Sequence, residues 1–255
     1  VTLDYVDIAT ARAAGGTRIV TSSLVASPWS EAAKGLFALA ELPAVVVARG
    51  RDGADFMAWT GIDNVPVVVH ANEPPRTNWA SIVGLANRLA GPNVLVPTDP
   101  SARAEVFGLL ELVAGEDGLG WNGRLAMVQV SIESGGTRGF PIVVAKYLAG
   151  RYGHGADVTP ASLRERVAAQ LGVLMRRLTG AYFGGERADA LDVYVATFLT
   201  PYSAIDDAAC PQMTAPLQRA FGAAHDTLGD LVPRELWAHR QRMFDRHLPW
   251  PIRLF

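Results

Sequence analysis

Apolar positions recur with two different periods along the chain, and the change falls near residue 91. Before it, short β-branched runs alternate with helical stretches. TRIVTSS (Thr17 to Ser23) reads as a first strand. Trp29, Ala33, Leu36, Phe37 and Ala40 then recur at helical spacing until Pro43. AVVVARG (Ala44 to Gly50) is apolar on both faces, the pattern of a buried strand. RDGADFMAWTGIDN carries turn residues and one helical turn. VPVVVHAN (Val65 to Asn72) predicts a third strand. EPPRT is at most a short edge strand, because proline donates nothing to a ladder. Trp79, Ile82, Val83, Ala86 and Leu89 define the next helical face.

GPNVLVPTDP (Gly91 to Pro100) reads as a linker, and beyond it strand patterns all but vanish. Seven amphipathic stretches follow, from SARAEVFGLLELVAG at Ser101 to PRELWAHRQRMF at Pro233. Several open on cap residues: Thr159 before Pro160, Ser101, and Asp189 three residues before Asp192. The order β-α-β-(α)-β-β-α, a hinge and then helices alone predicts an α/β half followed by an all-α half. Residues 1–16 fall outside this pattern.

Composition narrows the function classes. Of 255 residues, 49% are hydrophobic and 19% charged, enough for a sizeable core. A net charge of −2 gives no basic field for nucleic acid or an anionic membrane. The apolar runs are far shorter than the ~20 residues that span a bilayer. The first twenty residues lack a basic head followed by an apolar run, and one cysteine, Cys210, allows no internal disulfide. The expected setting is cytoplasmic, with no nucleic-acid or membrane partner. No histidine pair has a zinc spacing, so no metal site is expected; His239 and His247 read as surface residues of a basic helix. Cys210 reads as a packed thiol, and the Gly-rich GRYGHG and TGAYFGGE as helix stops.

Four segments together resemble the glutathione transferase family. SPWSEAAKG (Ser27 to Gly35) stands where members carry Ser or Cys at the start of their first helix. Val65-Pro66 matches the Val-Pro that opens the family's third strand. LVPTDPSARAEVFGLL resembles the connection into the helical domain, and RADALDVYVATFL the helix that opens on the family's capping box. The resemblance covers about residues 17 to 248. It implies a thioredoxin-like glutathione-binding domain over 15–90 and an all-helical domain over 100–248 that carries the second-substrate side of the cleft. It also implies a homodimer, with glutathione as cofactor and a small apolar electrophile as substrate. The chemistry would be that of a transferase or isomerase.

The same resemblance implies roles for individual residues. Ser27 would stabilise the glutathione thiolate from a helix N-terminus, where free N–H groups already favour an anion. Ser22, Ser23 and Ser30, the last one turn on, are the alternatives. A plain reading makes Ser27 an ordinary N-cap before proline, and Ser30 a solvent-facing helix serine. Val65 and Pro66, joined by a cis bond, would present backbone N–H and C=O to the cysteinyl part. Family members place Glu or Gln followed by Ser before the third helix to hold the γ-glutamyl end; here those positions are Asn78 and Trp79. Arg76, Thr77, Asn78 and Trp79 are therefore the candidate clamp, with Arg76 able to grip a carboxylate bidentately. Trp29, Trp59, Trp79 and Trp121 surround the expected cleft, and Phe107, Glu111 and Trp121 are placed to reach the second substrate. The departure at Asn78-Trp79 keeps a non-catalytic or glutathione-independent binding protein as the alternative.

Overall fold

A four-stranded sheet, ordered β1-β3-β2-β4, organises the N-terminal half of the computed structural model, which describes residues 3–50 and 53–255. The strands are β1 (Leu3–Val6), β2 (Thr17–Thr21), β3 (Ala44–Ala48) and β4 (Val67–His70). Both β1 and β2 run parallel to β3, and β4 runs antiparallel to β2. Side chains alternate as a strand requires. Ile19, Val46 and Val68 enter the main core, while Val20, Val47, Val67 and Val69 face a smaller one with Phe56. The EPPRT edge shrinks to one bridge, in which Arg76 and Val68 exchange backbone bonds of 2.8 Å.

Residues 3–16, which fall outside the sequence pattern, extend the expected order. They add β1 and the six-residue α1 (Ile8–Ala13), capped by Asp7, to the free edge of β3. Four residues are too few to reveal a strand by periodicity. The helices of this half are α2 (Pro28–Leu39), α3 (Ala54–Thr60) and α4 (Trp79–Ala90). The seven later stretches all form helices: α5 (Pro100–Ala114), α6 (Leu119–Glu133), α7 (Ile142–Arg151), α8 (Pro160–Arg177), α9 (Ala190–Phe198), α10 (Ala215–Leu228) and α11 (Arg234–Arg246). The chain is thus an α/β half followed by an all-helical half, as the pattern predicts, and the first half is thioredoxin-like, as the resemblance implies.

The halves meet where α2 packs on α9. A Cβ on Gly35 would lie 2.7 Å from Val193 Cγ1, so only glycine permits this approach. At the start of α9, Asp189 accepts from the Leu191 and Asp192 N–H groups, and Asp192 accepts from the Asp189 and Phe183 N–H groups at 2.8 Å. Asp192 also binds His239 Nε2 at 2.7 Å, both side chains being fully buried. This corrects the surface reading of His239. The buried face of α11, Leu236, His239, Met243 and Phe244, packs inward despite the helix's basic composition. His247 is likewise half-buried, 2.9 Å from the Tyr182 hydroxyl. Cys210 is buried, and burial pushes its thiol up.

Residues after α11 return to the first half. Buried Lys34 donates to the Arg253 carbonyl at 3.0 Å and pairs with Glu31 at 2.8 Å, holding α2 from its inner face.

Candidate functional site

The N-terminus of α2 opens on a cleft of about 400 Å3 between the two halves. That volume lies within the ordinary range for small-molecule sites. Ser27 occupies the N-cap position, with Pro28 at N1. Its backbone makes the expected bonds: its N–H donates to Val25 O at 2.7 Å, and its C=O accepts from Glu31 N at 2.9 Å. Its hydroxyl makes no capping bond. The plain reading of Ser27 as an N-cap before proline thus holds in position, without a side-chain capping bond, and the residue lines the cleft.

The Val65–Pro66 bond is cis, as the resemblance implies, and both residues line the same cleft. Thr77, Asn78 and Trp79 line it from the start of α4. Asn78 caps that helix, its Oδ1 accepting from Ser81 N at 2.8 Å. Thr77 Oγ1 is buried and without a hydrogen-bond partner, a group that costs free energy until a ligand satisfies it.

Aromatic side chains wall the cleft. Trp29 Nε1 donates to Ala114 O at 3.0 Å, and its ring meets Phe198 edge-on at 4.9 Å. Gly120 admits the Phe198 ring, since a Cβ there would lie 2.5 Å from it. Trp121 Nε1 donates to Tyr152 O at 3.0 Å, and the Trp121 and Tyr152 rings meet edge-on at 4.6 Å. Both indole N–H groups are thus satisfied by backbone, and the rings present apolar surface.

Other residues singled out from the sequence fall elsewhere. Ser30 is buried rather than solvent-facing, its Oγ 3.5 Å from Ser22 N, and does not line the cleft. Arg76 does not line it either; its guanidinium pairs with Glu73 at 3.1 Å, and Glu73 also holds Arg88. Phe107 packs against Trp79 at 6.0 Å without reaching the cleft, and Glu111 is exposed outside it. Trp59 packs on the opposite core, near Arg18. Conversely, Asn64, Arg151 and Tyr152 line the cleft and carry no local signal, Arg151 lying 87 positions from the Asn64 it touches. A larger cavity, about 650 Å3, is bordered by Tyr5, Trp250 and Arg253. It contains neither Ser27 nor the Val65–Pro66 loop.

No family model matches the sequence, and no curated protein does. Solved structures do match along nearly the whole chain. A glutathione transferase from Pseudomonas putida, with one glutathione disulfide bound per subunit, is 14% identical with a TM-score of 0.62, covering 94% of this chain and 95% of that one. A family member from Pseudomonas fluorescens, with two glutathione bound, is 15% identical with a TM-score of 0.60, covering 92% and 93%. One from Burkholderia graminis, with two glutathione molecules per subunit, is 16% identical with a TM-score of 0.58, covering 91% and 84%. At these identities the likeness is one of architecture, and the fold that this chain shares is that of the glutathione transferases.

Proposed function

We propose that the protein is a glutathione-dependent transferase or isomerase acting on a small electrophile with an apolar body. The observation that carries this reading is the free Ser27 hydroxyl at the N-terminus of α2, opening on the same cleft as the Val65 backbone. When bound, glutathione supplies a thiolate that forms a carbon–sulfur bond, by displacing a leaving group with its electron pair or by adding reversibly.

The chain's own residues do the rest. Ser27 Oγ–H donates to the sulfur, and the unpaired N–H groups at the start of α2 add positive potential there. Both favour loss of the thiol proton to solvent. Val65 holds the cysteinyl backbone through its N–H and C=O. Thr77 Oγ1 and the first N–H groups of α4, at Trp79 and Ala80, receive the γ-glutamyl carboxylate. Trp29, Trp121 and Tyr152 receive the apolar body of the electrophile and shield the reacting atoms from water. The residues present fit the tripeptide: an orphaned buried hydroxyl, a free helix N-terminus and a cleft of suitable size lie together.

The departure at Asn78-Trp79 favours a second reading, a binding protein that does without glutathione, because Asn78 Oδ1 already caps α4. Calorimetric titration separates the two. The proposal expects saturable binding of glutathione at millimolar concentration or below, with turnover of an activated aryl halide. No heat of binding at that concentration sinks it.

A further inference from the structure

Arg151 is the one charged side chain that lines the cleft among the described residues. It stands on the last turn of α7, in the helical half. Among the described residues it makes no ion pair, whereas Arg49, Arg76, Arg88 and Arg164 are each matched to a carboxylate. Its guanidinium instead donates to neutral Asn64 Oδ1 at 2.6 Å, across the gap between the halves, and lies 3.5 Å from the Tyr147 hydroxyl. The carboxylates of Glu116, Asp117 and Asp157 border an adjoining cavity, on the far side of the Trp121 and Tyr152 wall that it shares with the cleft.

A guanidinium matched only to neutral oxygens keeps its full charge and leaves donors of its planar fork unfilled. The Asn64 bond holds it in place before any ligand arrives, which reduces the ordering entropy that binding would cost. The aromatic wall beside it cannot orient a ligand through its indoles, since both N–H groups are already bonded to backbone. A ligand that fills this side with its apolar body therefore meets one cationic anchor, Arg151.

We propose that Arg151 recognises an anion in the cleft, and that the second substrate carries a carboxylate beside its apolar body. The assignment of that carboxylate to a second substrate rests on the function proposed above; the preference of the cleft for an anion does not. Glutathione brings carboxylates of its own, so the test must tell the two sources apart.

Trp29, Trp79 and Trp121 in the cleft make quenching of tryptophan fluorescence the direct readout. The probes are 4-nitrobenzoate and its methyl ester, titrated with and without saturating glutathione. The unaltered protein should bind the acid at least tenfold more tightly than the ester. Arg151→Ala should abolish that preference and leave ester binding unchanged. Arg151→Lys should restore part of it, because charge returns without the fork. Asn64→Ala, which breaks the contact between the halves but keeps the cation, should retain most of it. Glutathione affinity, measured separately by calorimetry, should stay within about twofold in Arg151→Ala.

Equal binding of acid and ester by the unaltered protein would overturn the proposal. So would an Arg151→Ala variant that loses acid and ester alike, or matches Asn64→Ala, because the residue would then only hold the cleft together. Intact acid preference with a tenfold loss of glutathione affinity in Arg151→Ala would assign the guanidinium to the tripeptide instead. Failure of the unaltered protein to bind glutathione, with the acid preference intact, would remove the glutathione reading and leave the anion site standing.

Discussion

Ser27→Ala separates chemistry from stability at this site. A capping serine replaced by alanine ordinarily costs about 1 kcal/mol of stability. Here the hydroxyl makes no capping bond, so its loss should change unfolding free energy by less than about 0.5 kcal/mol. The bond it is proposed to make, to a sulfur anion, is charge-assisted and worth roughly 1.5–3 kcal/mol. Its removal should slow turnover about ten- to a hundredfold. The same energy must appear in the bound thiol's acidity. At 1.36 kcal/mol per pKa unit, the apparent thiol pKa should rise by about one to two units. Ground-state affinity for the neutral thiol should change little, because the bond strengthens only as charge develops. The assay has three parts: denaturant unfolding, the pH dependence of the thiolate's ultraviolet absorbance, and steady-state kinetics with glutathione and an aryl halide. Ser30→Ala is the control, since its hydroxyl is buried outside the cleft and should leave the thiol pKa alone. A Ser27→Ala protein of normal stability that keeps both turnover and thiol pKa would refute the reasoning. A fall in stability of 1 kcal/mol or more would refute its structural premise.

Three other perturbations test the surroundings. Arg76→Ala should shift glutathione affinity by less than about threefold, since its guanidinium is tied to Glu73 outside the cleft; a tenfold loss in a calorimetric titration would restore Arg76 as the γ-glutamyl clamp. Asp192→Ala should destabilise the fold by at least about 3 kcal/mol in urea unfolding, because it strands the Phe183 and Asp189 N–H groups and His239 in a buried site; a loss under 1 kcal/mol would contradict that network. Burial and the neighbouring Asp192 charge raise the Asp189 carboxyl to about 7. The native state therefore holds a proton that the unfolded chain releases near pH 4, and stability from this group is fully present below about pH 4 and lost as pH rises to about 7. Asp189→Asn, still able to cap α9, should flatten that decline; an unchanged urea midpoint profile between pH 4 and 8 would show that Asp189 does not produce it.

Local sequence determined most of the architecture. β-branched apolar runs in Thr17–Thr21 and Ala44–Ala48, helical faces from Trp79 onward, and caps at Thr159 and Asp189 each express short-range preferences that the fold obeys. Adjacent residues mark the helix start at Ser27-Pro28, whereas the cis Val65–Pro66 bond was expected from the family resemblance and not from the dipeptide. What escaped was decided by contacts distant in sequence. The strand Leu3–Val6 exists because β3 had a free edge to pair with. His239 looked like a surface residue until Asp192, 47 positions away, drew it into the core. Arg76, the clamp that the resemblance implies, is paired with Glu73 beside β4, a contact that the local sequence does not announce. Arg151 closed an ordinary helix until the two halves brought it against Asn64 and into the cleft. Periodicity and capping report which residues are near in sequence. Whether a charged or polar side chain finds a partner depends on which residues are near in space, and only the packing of the two halves decides that.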